Sequence, residues 1–281
     1  MKRLVSFFLC VFLTALLSLG SVYCSQVQQI AGVSPGRGEP SADVTALVNG
    51  DPITKADLEL EMRSQQARID IRRILAANDP ESILSVDEML QKMGLGWSEM
   101  ASEEKRFFLR LKRESEITAS KNEAFNRLAR EAVLYQEAVK RGFQITRGEA
   151  REYFRELEEL SRLSFERAGK DEKEYQIQTG NARKLDRILQ EKMGFATPQD
   201  LEEYRIRRAT RTVPIGRLKE KLQREWGIKH PDIRGQDFYY AVENYWEDYT
   251  ESLLRSAEIA IKDPELKLSY STPGNNSFGG N

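Results

Sequence analysis

Residues 46–60 read Ala-Leu-Val-Asn-Gly-Asp-Pro-Ile-Thr-Lys-Ala-Asp-Leu-Glu-Leu: a short apolar strand, a turn and the capped start of a helix. Ala46, Leu47 and Val48 suit a strand, and Asn49, Gly50, Asp51 and Pro52 supply turn chemistry. Thr54, followed three residues later by Asp57, is an acidic variant of the capping box, in which hydroxyl and carboxylate satisfy backbone N–H groups reciprocally. Ile53 and Leu58 stand where a hydrophobic staple clamps the entering chain.

The following helix is predicted from Lys55 to about Ala77, stopping before Asn78-Asp79-Pro80, because the residue before a proline is pushed out of the helical region. Residues 81–100 predict a short helix and a Gly94/Gly96 loop. From about Ser102 to Arg141 the pattern allows two helices or one bent one. In its second half Phe125, Leu128, Ala132, Tyr135 and Val139 recur at spacings of three and four, and Arg141-Gly142 gives a basic last turn with a glycine stop. The capping device repeats at Thr146/Glu149 and at Thr197/Asp200, where Pro198 takes the first helical position. The intervals between these starts are unequal, so the chain is no solenoid repeat.

Helices are predicted over about Thr146–Ala168, Asn181–Met193, Thr197–Thr210 and Ile215–Trp226, with a last helix over about 235–256. In that last helix Phe238, Val242, Tyr245, Tyr249 and Leu253 form one stripe, which Tyr239, Tyr240 and Trp246 widen. The segment 257–262 then alternates polar and apolar residues as a strand does, and Asp263-Pro264 ends it.

Lys2 and Arg3 precede an uncharged apolar run from Leu4 to Leu19, and small residues follow from Gly20, which predicts a cleaved secretory signal over residues 1–25. The run is too short to span a bilayer comfortably. Tyr23 departs from the lipobox pattern, so lipidation of Cys24 is not expected. Both cysteines, Cys10 and Cys24, fall within the signal. A mature chain without thiols has no disulfide, thiolate nucleophile or Cys-metal site. The charges are nearly balanced, 43 Lys+Arg against 44 Asp+Glu, and loss of Lys2 and Arg3 leaves the mature chain more acidic, which makes nucleic acid a poor partner. Residues 26–42 and 269–281 are rich in small and polar residues without periodicity and are expected to be a disordered linker and tail. That leaves 43–268 as one helical domain, whose 31% charged composition suits an open helical body more than a compact enzyme.

Three stretches together, Val-Asn-Gly-Asp-Pro-Ile-Thr at 48–54, Leu-Tyr-Gln-Glu-Ala-Val-Lys-Arg-Gly-Phe-Gln-Ile-Thr at 134–146 and Ala-Glu-Ile-Ala-Ile at 257–261, resemble the SurA/PrsA-type extracytoplasmic chaperones over about residues 43–263. The resemblance implies a mainly α, multi-helix lobe closed by a short β pairing of the N-terminal strand with a strand after the last helix, here Ala46–Asn49 with Ile259–Lys262. It implies an ATP-independent holdase, periplasmic or otherwise extracytoplasmic, whose partners are unfolded or nascent secreted or outer-membrane polypeptides and which meets the membrane only during export. The alternative on the same scaffold is an adaptor for one specific folded extracytoplasmic partner. Many members of that family insert parvulin-type prolyl isomerase domains built around paired histidines. This chain has one histidine, His230, and no Gly-rich, strand-dense segment between 150 and 235, so isomerase activity is expected to be absent.

No P-loop, dinucleotide fingerprint or hydrolase elbow occurs, and no catalytic residue, metal or cofactor is expected. Glu158-Glu159 and Glu202-Glu203 are neighbours that do not face each other on a helix, and Arg205, Arg207, Arg208 and Arg211 are interleaved with acids; both sets are expected to be solvated surface. The aromatic surplus of Phe107, Phe108, Tyr239, Tyr240, Trp246 and Tyr249 exceeds what one stripe buries. It is the candidate lining of a peptide-binding groove, with packing between helices as the competing reading.

Overall fold

A computed structural model describes residues 43–78, 84–116, 118–167 and 172–270, with 78 and 172–179 given by backbone alone. The expected signal peptide at 1–25, the linker at 26–42, both cysteines and tail residues 271–281 lie outside the described residues. Among those described, eight helices and one small antiparallel sheet make the mainly α fold that was expected.

Strand β1 (Val44–Val48) is the middle strand of the sheet, flanked by β2 (Asp51–Thr54) and β3 (Ile259–Ile261). The β3 pairing brings the two ends of the described chain together: Ala46 stands opposite Ile261, and Val48 opposite Ile259. The stretch read as a turn leading straight into a helix is instead a hairpin. Asn49 and Gly50 have φ of 50° and 86°, the left-handed pair that a two-residue type I′ turn requires. Asp51–Thr54 therefore folds back on β1, with Pro52 on an edge strand, where its missing N–H leaves no ladder bond unmade.

Asn49 also locks the sheet across its other side. Its backbone N–H donates to the Glu258 carbonyl at 2.7 Å, and its side-chain oxygen accepts the Glu258 N–H at 2.8 Å. Gln136, from a helix packed below, donates to the Val48 carbonyl at 3.0 Å and to Asp51 at 2.8 Å.

The three expected capping devices all form. Asp57 accepts the Thr54 N–H at 2.9 Å and starts α1 (Lys55–Asn78). Glu149 accepts from Thr146 at 2.7 Å and Asp200 from Thr197 at 2.8 Å, starting α5 (Arg147–Arg167) and α7 (Pro198–Lys229). A fourth box, Ser85 with Glu88, opens α2 (Val86–Met93). Helices α3 (Ser102–Ser115) and α4 (Lys121–Lys140) are separate, and the staple residues Ile53 and Leu58 share one core with Ala46, Val48, Phe125 and Leu128.

Two helices outrun their sequence patterns. Helix α6 (Glu172–Met193) starts well before Asn181. Helix α7 runs unbroken through Pro214, where two helices were expected. Val213, Pro214 and Ile215 are all buried: burial of an apolar residue is worth about 1.5–3 kcal/mol, enough to hold a proline in a helix at a cost of about 3 kcal/mol.

Helix α4 is the hub, packed on α1, on α7, on the sheet and on α8 (Gly235–Ser256). Helix α8 in turn touches α3, α4 and α7. Beyond β3 the chain stays in place: Leu266 enters the sheet core, and Asn122 and Asn126 on α4 hydrogen-bond the backbone of Lys267 and Ser269 at 2.6–3.0 Å.

Candidate functional site: a charged cleft between the helices

A solvent-open cleft of about 1590 Å³ lies among α1, α3, α4, α5, α7 and α8. One wall is set by α8, where Glu243, Glu247, Asp248 and Glu251 recur at spacings that place them toward three neighbouring helices. Each of these carboxylates meets cations from elsewhere. Glu243 accepts from Lys219 of α7 at 2.9 Å and pairs with Arg110 of α3 at 3.6 Å. Asp248 takes the two guanidinium nitrogens of Arg106, and Arg130 of α4 forks between Glu247 and Glu251. Burial alone would lower the Arg130 pKa, but the two carboxylates more than offset it and the net shift is upward. This wall is electrically satisfied.

The floor, where α1, α4 and α7 meet, is more deeply buried. Glu61 and Arg208 are each 1% exposed, and Gln65 beside them is fully buried. Glu61 is shared by Arg127 and Arg208, both at 3.3 Å, and Glu131 by Arg211 at 3.4 Å and Arg208 at 3.7 Å. Burial raises the Glu131 carboxyl, with Arg208 and Arg211 opposing. Arg68 of α1 adds a further guanidinium. Burial, then repulsion from Arg127, pushes it down to about 9, with Glu61 pulling the other way. It is still a cation at neutral pH, and burial is the main cause of the depression.

The aromatic candidates divide between packing and cleft. Phe107, Phe108 and Tyr240 are 5–8% exposed and form a cluster where α3 meets α8, with Phe107 and Tyr240 ring centroids 5.1 Å apart. Trp246 and Tyr249 are half-buried against Leu134, Ala138 and Leu218. Tyr249 is tied further: its hydroxyl donates to Glu137 at 3.0 Å and accepts from Arg141 at 2.8 Å. Tyr239 is 52% exposed. Phe107, Tyr239 and Trp246 line the cleft, whereas Phe108, Tyr240 and Tyr249 are not among its lining residues. The surplus on the last helix has a structural origin, since α8 packs on three helices and needs more than one apolar face.

The basic cluster expected to be solvated is not. Arg208 is core, Arg205 forks onto Asp186, and Arg211 stacks 4.9 Å over the Tyr135 ring; Arg207 alone is exposed. Composition hid this because neighbouring acids looked like solvated partners. The usable signal was position: on α1, Leu58, Glu61, Gln65 and Arg68 fall at spacings of three and four, and on α7 Leu201, Tyr204 and Arg208 do the same. Charges in core-facing positions of a helical stripe mark a buried polar network. Glu158 and Glu159 are exposed, as expected, and His230 is exposed while stacking on Trp226.

Among the described residues no group of three or more His, Cys, Asp or Glu side chains is placed to hold a metal ion, and no helix is long and apolar enough to cross a membrane. No family model, curated protein or solved structure matches the chain.

Proposed function

We propose that this chain is an extracytoplasmic, ATP-independent holdase that shields unfolded secreted or outer-membrane polypeptides, with residues 1–25 as its cleaved export signal. The observation that carries the reading is the cleft. At about 1590 Å³ it exceeds the usual small-molecule pocket of roughly 300–1,000 Å³ and stands open to solvent, with Phe107, Tyr239 and Trp246 set among charged groups. Such a mixture offers weak contacts to apolar and polar segments alike, while the charged rim keeps the empty lobe dispersed.

The test is aggregation of a chemically unfolded client, followed by light scattering without ATP. The mature protein slows aggregation, and Tyr239→Ser, at an exposed position, weakens protection without changing the melting temperature. Prolyl isomerisation of a proline-containing peptide is not accelerated. Unchanged client aggregation at a several-fold excess of the protein refutes the holdase. An adaptor for one folded partner is the second reading, favoured by the fixed pairing of the α8 carboxylates. In a crosslinking survey one stoichiometric partner supports the adaptor, and many unfolded clients support the holdase.

A further inference from the structure

We propose that the chain's own C-terminal segment, residues 271–281, seats in the cleft with Phe278 beside Trp246, and that a client must displace it to enter. The seat itself stands on the cleft and the path of the chain; the competition with clients rests on the holdase reading above.

Where the described chain leads is the first ground. After β3 it stays on the body, because Asn122 and Asn126 of α4 hold the backbone of Lys267 and Ser269 at 2.6–3.0 Å. Tyr270 then lies with the Arg255 guanidinium 4.6 Å over its ring, and Ser269, Tyr270 and Arg255 all line the cleft. The segment that follows is thus delivered to the cleft and not to a remote surface.

Reach is the second ground. Arg255 and Trp246 both belong to α8, and their separation along the helix axis is about 14 Å at 1.5 Å per residue. Tyr239 stands about 24 Å from Arg255 on the same scale. The stretch from Tyr270 to Phe278 has a root-mean-square span of roughly 14–17 Å and a full extension of about 26–29 Å. Phe278 therefore meets Trp246 without stretching, whereas Tyr239 lies near the limit.

Chemistry is the third. Residues 271–281 read Ser-Thr-Pro-Gly-Asn-Asn-Ser-Phe-Gly-Gly-Asn, with one aromatic and no charged side chain. The α8 wall of the cleft already pairs its charges: Glu243 with Lys219 and Arg110, Asp248 with Arg106, and Arg130 with both Glu247 and Glu251. An occupant carrying a charge would have to break such a pair or desolvate its own ion. Hydroxyls, amides and backbone groups hydrogen-bond to the paired wall at no such cost, and a phenyl ring covers the exposed part of an indole. Tethering makes a weak contact count, since a short linker holds its segment at an effective concentration of the order of millimolar.

The experiment is nuclear magnetic resonance of the full mature protein with a nitroxide on the tail. Because Cys10 and Cys24 both fall in the signal, Gly280→Cys supplies a single attachment point. The readout is the indole N–H resonance of each tryptophan, Trp97, Trp226 and Trp246, of which Trp246 alone lines the cleft. The nitroxide is expected to broaden Trp246 several-fold more than the other two, and adding Phe278→Ser to the labelled chain relieves that broadening. An uncharged, extended peptide with two aromatic residues is expected to bind Phe278→Ser about three- to tenfold more tightly than the parent, as loss of a competitor at millimolar effective concentration requires, with the melting temperature unchanged. Equal broadening at all three indoles, or none, overturns the seat, and client aggregation that is still suppressed then leaves the holdase standing. Broadening that is as strong when nitroxide and isotope label are on different copies places the tail in a second molecule and overturns the intramolecular seat. Selective broadening with unchanged peptide affinity in Phe278→Ser overturns the displacement.

Discussion

Replacing Glu61 by Gln tests the physics of the floor directly. The side chain keeps its shape but loses the charge that Arg127 and Arg208 share at 3.3 Å. At an effective dielectric of about 20, each contact is worth roughly 5 kcal/mol of gross attraction. Desolvation of the carboxylate offsets much of that, and breaking a buried pair by removing one partner costs about 3–5 kcal/mol net. The amide still accepts a hydrogen bond from Arg208, which places Glu61→Gln near the lower end, at about 3 kcal/mol. Urea denaturation followed by far-UV circular dichroism measures it, with the midpoint shifted and the slope unchanged. Because the site is buried, the loss persists at 1 M salt, where a surface pair is screened. Adding Arg127→Gln to Glu61→Gln removes one of the cations that Glu61 neutralised and restores about 1–2 kcal/mol. A loss below about 1 kcal/mol, or a double variant no more stable than the single one, refutes the claim that Glu61 neutralises buried cations on the floor.

Three further outcomes are expected. Ending the chain after Ser256 removes β3 and Leu266, leaves the β1 edge at Ala46 and Val48 unpaired, and lowers stability by at least about 3 kcal/mol; an unchanged melting temperature rejects the strand pairing. Gly50→Ala meets no atom within 4 Å, so its cost is purely that of a side chain at φ of 86°, about 1–2 kcal/mol, read from thermal melts against Gly148→Ala as a control. The Glu137–Arg141–Tyr249 tie predicts two pH effects. Burial raises the Glu137 carboxyl, but hydrogen bonds from Arg141 and Tyr249 outweigh it and hold the pKa below the usual value; its contribution is present above the unfolded pKa and lost as pH falls through the folded one, so Glu137→Gln flattens the acid limb of the stability profile. Burial, with the Glu137 hydrogen bond, pushes Tyr249 up to about 12; that contribution is present below the unfolded value of about 10 and lost as pH rises toward 12, and Tyr249→Phe removes one late-ionising phenol from the absorbance titration.

The parts of this fold that were legible are those whose causes are local. Thr54, Thr146 and Thr197 announce helix starts because a cap and its carboxylate sit three residues apart, and the bounds of α8 follow from its aromatic stripe and from the strand-like alternation that begins at Ala257. The Asn49-Gly50 pair carried a hairpin signal that a following helix start obscured, so β2 was missed. Pro214 misled because local propensity cannot know that its neighbours are buried between helices. The six aromatic groove candidates share a residue type, and type does not say which face of α3 or α8 meets solvent; only Tyr239, of the six, is largely exposed. The guanidinium floor is a three-helix property, visible in the stripes of α1 and α7 only once charged residues are allowed to occupy core positions.

The union of β1 with β3 also has a kinetic side. Asn49 and Glu258 are 209 residues apart in the chain, and closing a loop of that length costs on the order of 5 kcal/mol of chain entropy before a single cross-strand bond repays it. The β1–β2 hairpin, by contrast, closes on a microsecond timescale. During vectorial synthesis β1 therefore exists early as part of a two-stranded ribbon with one bare edge, and it waits for β3. Ring closure is the late event, and any segment that pairs with that edge in the interval competes with the chain's own final strand.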